Sequence, residues 1–139
     1  MIHAAGRSLE KVKALVNGGA VIDYRTKRFW TAANEAFLNK KVEISHYLIV
    51  DKKANIKQPY FYFHTGSDSI DVSDKRYPVE LLRDWVFDLN SEEYKTKMQI
   101  VEEFQRQGVD YKETSPSMQT LNHIKKLYPN TWEDYLAKY

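Results

Sequence analysis

The chain has 139 residues and no cysteine, which excludes disulfides and thiolate metal sites and leaves enough length to bury a real core as one domain. Apolar residues make up 42% and charged residues 29%, as in a soluble globular protein; no apolar run approaches the roughly 20 residues of a bilayer crossing, and Met1-Ile2-His3-Ala4-Ala5-Gly6-Arg7 has no secretion-signal core, so a cytoplasmic location is expected. Net charge is only +2, but residues 1–60 carry 11 Lys/Arg against 5 Asp/Glu and residues 61–139 carry 10 against 14, an asymmetry that points to a polar interaction surface.

The first clear element is Leu9-Glu10-Lys11-Val12-Lys13-Ala14-Leu15-Val16-Asn17, in which Leu9, Val12, Leu15 and Val16 form one helical stripe. Gly19 follows the last turn, where a left-handed residue closes a helix. The same phrase returns 33 residues later as Val42-Glu43-Ile44-Ser45-His46-Tyr47-Leu48-Ile49, with Val42, Ile44, Tyr47 and Leu48 inward. The pattern then breaks at Lys57-Gln58-Pro59-Tyr60-Phe61-Tyr62-Phe63-His64 and the polar, turn-forming stretch 65–74, which predicts an enlarged loop or short hairpin near 58–77. Pro78 opens a helix through about Leu89, with Val79, Leu82, Val86 and Leu89 on one face. Ser91-Glu92-Glu93 starts the third copy of the phrase, with Tyr94, Met98, Ile100, Val101 and Phe104 in its stripe and Gly108 at its end. Ser117 starts a further helix bearing Met118, Leu121, Ile124 and Leu127; Tyr128-Pro129-Asn130 breaks it, and 131–138 form a last short helix. A phrase occurring three times marks a stack of like units, each unable to bury its apolar face alone.

The repeated unit resembles the ankyrin repeat, over residues 2–57 and again over 98–112. Gly19-Ala20-Val21-Ile22-Asp23 matches the start of that family's loop, Thr31-Ala32-Ala33-Asn34 stands at its helix-opening tetrad, Ala36 falls on an inward small-residue position, and Lys53-Ala54-Asn55-Ile56 restarts the loop. The tetrad lacks its Pro and His, at Ala32 and Asn34, and Lys53 replaces a loop glycine, which costs about 1 kcal/mol if that position is left-handed. The first copy keeps His3-Ala4-Ala5 without the turn before them, which fits either a capping terminal repeat or a truncated chain. The resemblance implies a mainly α fold: an ankyrin-like solenoid of about three to four stacked helix pairs. Its units would be about 1–22, 23–56, 57–110 with the insertion, and a C-terminal cap at 111–139. It also implies that His3 is a structural hydrogen-bonding element and that partners are held by turn tips and inner helices.

By that register Tyr24-Arg25-Thr26-Lys27-Arg28-Phe29-Trp30 is a turn tip carrying three positive charges beside large rings. Exposed Trp, Tyr and Arg are the types enriched in binding hot spots, so Tyr24, Arg25, Lys27, Arg28, Phe29 and Trp30 are the expected contacts. The competing expectation is that Phe29 and Trp30 tuck against neighbouring helices. In the extended run Tyr60-Phe61-Tyr62-Phe63, alternation sends the phenylalanines to the core and leaves Tyr60 and Tyr62 half-exposed, either on the binding face or as plain packing of the insertion. A basic, aromatic segment also suits nucleic acid, but the acidic second half of the chain argues against it. Asp68, Asp71 and Asp74 have the wrong spacing for a calcium loop, and His3, His46, His64 and His123 show no zinc pattern. Neither Gly-x-Ser-x-Gly nor a phosphate-cradling glycine loop occurs. No cofactor, metal or enzymatic activity is therefore expected. The expectation is a protein-binding module, monomeric on its own, with one protein partner and no nucleic acid or membrane. Its build resembles stoichiometric inhibitors such as bacterial antitoxins or immunity proteins, which mask a toxin or other enzyme. The alternative is a piece of a larger ankyrin-repeat effector or scaffold.

Overall fold

Four hydroxyl side chains start four helices: Ser8, Thr31, Ser91 and Ser117 each accept a hydrogen bond from the backbone N–H three residues on. A computed structural model describes residues 1–61 and 73–139, and these are mainly α. The elements are α1 (Ile2–Ala5), α2 (Leu9–Asn17), α3 (Ala32–Leu38), α4 (Val42–His46) continued by a π-helical turn (Tyr47–Asp51), β1 (Tyr60–Phe61), β2 (Lys75–Arg76), α5 (Pro78–Arg83), α6 (Glu92–Arg106), α7 (Met118–Leu127) and α8 (Trp132–Lys138). Helix α1 packs on α2 and α3, α3 on α4 and α5, α2 on α4, and α4 on α6. First helices of successive pairs thus lie side by side, and so do second helices. The small residues Ala5, Ala32, Ala33 and Ala36 let the first row approach closely, and Phe37, Leu48, Ile49, Leu82, Trp85, Ile100 and Phe104 fill the space between the rows.

Four helices end alike, α3 within its pair and the other three at the end of theirs. Gly19 (φ 91°) and Gly108 (φ 87°) are left-handed, and so are Lys40 (φ 51°) and Lys53 (φ 56°), which have Cβ atoms to accommodate. The next N–H bonds back into the last helical turn in each case: Ala20 to Leu15 O, Lys41 to Ala36 O, Ala54 to Leu48 O, and Val109 to Phe104 O. The second copy of the repeated phrase is one residue longer than the first, and the π-helical turn absorbs that residue. Lys53, in the glycine's place, extends its Nζ to Glu103 Oε2 at 2.8 Å. The Lys53 bond, with others from Arg106 and Gln107, holds the buried Glu103 carboxyl below its ordinary pKa.

Leu48 is fully buried. Leu48→Ala is expected to cost about 2–5 kcal/mol in urea unfolding; a loss below roughly 1 kcal/mol would place Leu48 outside the core.

Several expectations need correction. The helix from Pro78 ends at Arg83, not Leu89: the chain turns at Asp84, Trp85 enters the core, and Val86 and Leu89 pack from a loop onto the C-terminal cluster of Ile124, Tyr135 and Tyr139. Leu15, Met118 and Leu127 are 41%, 77% and 50% exposed, because no described element covers the outer sides of α2 and α7. His3 is exposed, and its side chain makes no hydrogen bond among the described residues, so it does not serve as the expected structural element. The insertion does begin as a hairpin, with Tyr60 opposite Arg76 and Phe61 opposite Lys75; Tyr62, Phe63, His64, Asp68 and Asp71 lie outside the described residues. No helix among the described residues is long and apolar enough to cross a membrane.

Candidate partner-binding surface

The segment after α2 folds into a tight turn because Thr26 serves it three ways. Its N–H donates to Trp30 O, its carbonyl accepts from Phe29 N–H, and its hydroxyl accepts from the N–H groups of Arg28 and Trp30. The turn is zipped to the following tip. Asp23 Oδ1 accepts from Asn55 N–H at 2.8 Å, and Arg25 Nη2 donates to Pro59 O at 2.6 Å. The rings interlock too: Phe29 meets Phe61 edge-on at 5.4 Å, and Trp30 meets Tyr60 at 4.9 Å.

The expected contact residues divide accordingly. Tyr24 is 60% exposed and Phe29 39%, and Lys27 and Arg28 are also exposed. Arg25 is half-buried; its guanidinium lies 4.7 Å from the Phe29 ring centroid and holds that ring from behind. Trp30 is half-buried, and its indole N–H donates to Glu35 Oε2 at 2.8 Å, so it anchors the turn to α3 more than it faces outward. Tyr60 is the correction: at 1% exposure it is a core residue beneath Trp30 and no contact, whereas Phe61, expected inside, is half-exposed. The strand alternates as expected but in the opposite phase, because its register places Tyr60 over the stack. Tyr62 lies outside the described residues.

A second cluster was not foreseen. Lys97 on α6 is fully buried, with Nζ donating to Trp85 O at 2.8 Å and lying 4.2 Å from the Tyr139 ring centroid and 5.1 Å from that of Tyr111. Arg83 on α5, also buried, lies 4.4 Å from the Tyr111 ring and 4.6 Å from the Tyr139 ring; its Nε donates to Thr114 O. Burial, then the nearby charges of Arg83 and Lys112, lowers the Lys97 amine from 10.5 to about 6, so it is largely neutral at pH 7. Burial also pushes the Tyr111 hydroxyl up to about 12. Lys97 is fully enclosed, and the cluster reads as a clamp for the C-terminal segment.

A cleft of about 440 Å³ between α3, α5 and α7 contains Asp84, Ser117 and His123. Ser117 is committed to capping α7 and donates to Asp84 Oδ1 at 3.2 Å, so its hydroxyl is a structural cap. No protein-family model, curated protein or solved structure matches this chain.

Proposed function

We infer that this protein is a non-enzymatic protein-binding module that holds one protein partner on its paired turn tips. The observation that carries the reading is the tip 24–30, which exposes Tyr24, Lys27 and Phe29 over side chains that are bonded in place: Thr26 within the turn, Trp30 to Glu35, and Arg25 to Pro59. Large rings presented on a rigid support lose little entropy on binding. The side-by-side helix rows support an ankyrin-like solenoid as the scaffold, in which tips project along one edge. In this reading the protein is a cytoplasmic, monomeric, stoichiometric inhibitor, of the kind that masks a toxin or other enzyme, and it acts by occupying its target.

Affinity capture from the native lysate, run in parallel with the parent chain and a Lys27→Glu/Phe29→Asn variant, tests this. One protein should be recovered in stoichiometric amount with the parent and be lost with the variant, while the variant's thermal midpoint stays within a few degrees. Recovery that does not depend on the tip, or no recovery at all, overturns the assignment.

A further inference from the structure

Phe29 combines two unfavourable features in one residue. Its backbone is left-handed (φ 61°), a conformation that is uncommon for any residue with a Cβ and an outlier for a bulky one. Its ring is 39% exposed. Glycine or asparagine would suit this backbone at lower cost, and the ring's packing on Phe61 and Arg25 leaves its exposed part without a structural partner. Strain held in place by a surrounding network is what functional positions show, and that network is present in Thr26, Arg25 and Phe61.

Positive charge is in excess around the ring. Lys27 follows Thr26 in the turn, Lys57 lies on the adjoining tip, and Lys75 sits opposite Phe61 in the two-stranded ladder and so shares its face. All three are exposed, and none has an ion-pair partner among the described residues. The nearby carboxylates are fewer: Asp74 is paired with Arg76, and Asp23 and Glu35, which accept only from neutral N–H groups, keep their charges. A partly exposed apolar pair thus lies on a face where unpaired lysines outnumber the carboxylates.

We propose that this face, Phe29 and Phe61 rimmed by Lys27, Lys57 and Lys75, binds an acidic protein segment that presents an apolar side chain between carboxylates. The proposal rests on the protein-binding reading above and names the chemistry of the partner. The apolar side chain would cover the Phe29–Phe61 pair, and the carboxylates would meet the ammonium rim, which sets orientation and association rate. Protein is favoured over nucleic acid because Phe29 and Phe61 pack edge to face and offer no parallel stacking platform, and because the chain's second half is acidic.

The test is a titration of ¹⁵N-labelled protein with three short synthetic peptides of equal length. The first carries one Phe among Glu and Ser, the second replaces that Phe by Ala, and the third replaces each Glu by Lys. A thymine oligonucleotide is the fourth probe. The acidic Phe peptide should shift the amides of residues 24–29, 57, 61 and 75. Its affinity should fall by about tenfold or more with the Ala peptide, with Phe29→Asn, with Lys27→Glu/Lys75→Glu, or in about 0.5 M salt, where screening limits charge interactions to a few ångströms. Equal or tighter binding of the Lys peptide at the same amides would overturn the acidic class and leave the tip as a protein-binding site. Tighter binding of the oligonucleotide there would overturn both. Shifts elsewhere, or none with any probe, would overturn the proposal while the lysate capture still decides the broader reading.

Discussion

Lys97→Met is expected to stabilise the protein at pH 7 by about 1–3 kcal/mol and to flatten its stability–pH profile. The cause is the cost of burying an amine whose folded pKa, about 6, lies below its ordinary 10.5. Between those values the unfolded chain binds the proton and the folded chain does not, so stability rises with pH across this window. Below about pH 6 both states are protonated and the penalty is complete; above about 10.5 both are neutral and it is gone. The shift alone corresponds to several kcal/mol at neutral pH, on the order of 1.4 kcal/mol per pKa unit. Methionine gives part of this back, because the Trp85 carbonyl loses its bond from Nζ. The groups facing Lys97 are Arg83 from α5, Tyr111 and Lys112 from the segment after α6, and Tyr139 after α8. Burial and the Arg83 charge lower the Lys112 amine toward this window, so the difference between variant and parent is the quantity to follow. Denaturant midpoints from pH 5 to 10 should show the variant's advantage largest at the acid end and shrinking as pH rises. Parallel profiles would mean that Lys97 keeps an ordinary pKa and reaches water.

The repeated phrase made the stacked helices legible because periodicity and closure are local. Ser8, Thr31, Ser91 and Ser117 announce starts, and Gly19 and Gly108 announce ends. Lys53 was legible as a left-handed residue because it stands in register with Gly19, although its partner Glu103, 50 residues away, was not. Long-range facts were hidden in the same way. Lys97 reads as a solvent-facing charge in a helix rich in Glu and Lys, and only the fold brings Trp85, Tyr111 and Tyr139 around it. At the tip, composition identified the segment but could not divide it. Alternation fixes that Tyr60 and Phe61 face opposite ways, but the phase depends on pairing with 75–76, and the phase chosen from side-chain polarity was the wrong one. Met118 and Leu127 show the same limit, since a helical stripe says which residues share a face and not whether anything covers it.

Trp85→Ala should be the most damaging single change, costing about 3–5 kcal/mol, a large fraction of the 5–15 kcal/mol typical of a domain. Trp85 is fully buried at the junction of three elements. Its indole N–H donates to Phe37 O at the end of α3 (2.9 Å), its ring meets Phe37 at 5.7 Å and Phe87 at 5.8 Å, and its own carbonyl accepts from Lys97 on α6. Trp85→Phe separates volume from hydrogen bonding. Phe37 O keeps the bond from Lys40 N–H, so losing the indole donor should cost only about 1 kcal/mol beyond the smaller ring's packing loss. Lys97→Met and Trp85→Ala should also be coupled, because substitutions at residues in direct contact do not add independently. A cavity at position 85 admits water toward Nζ and relieves the desolvation that lowers the Lys97 pKa. The gain from Lys97→Met should therefore shrink in the Trp85→Ala background, and chemical denaturation of the two single variants and the double variant measures that shrinkage directly. Strict additivity would mean that the Lys97 environment is set by Arg83 and the tyrosines alone, with the tryptophan acting only as filler between the helix rows.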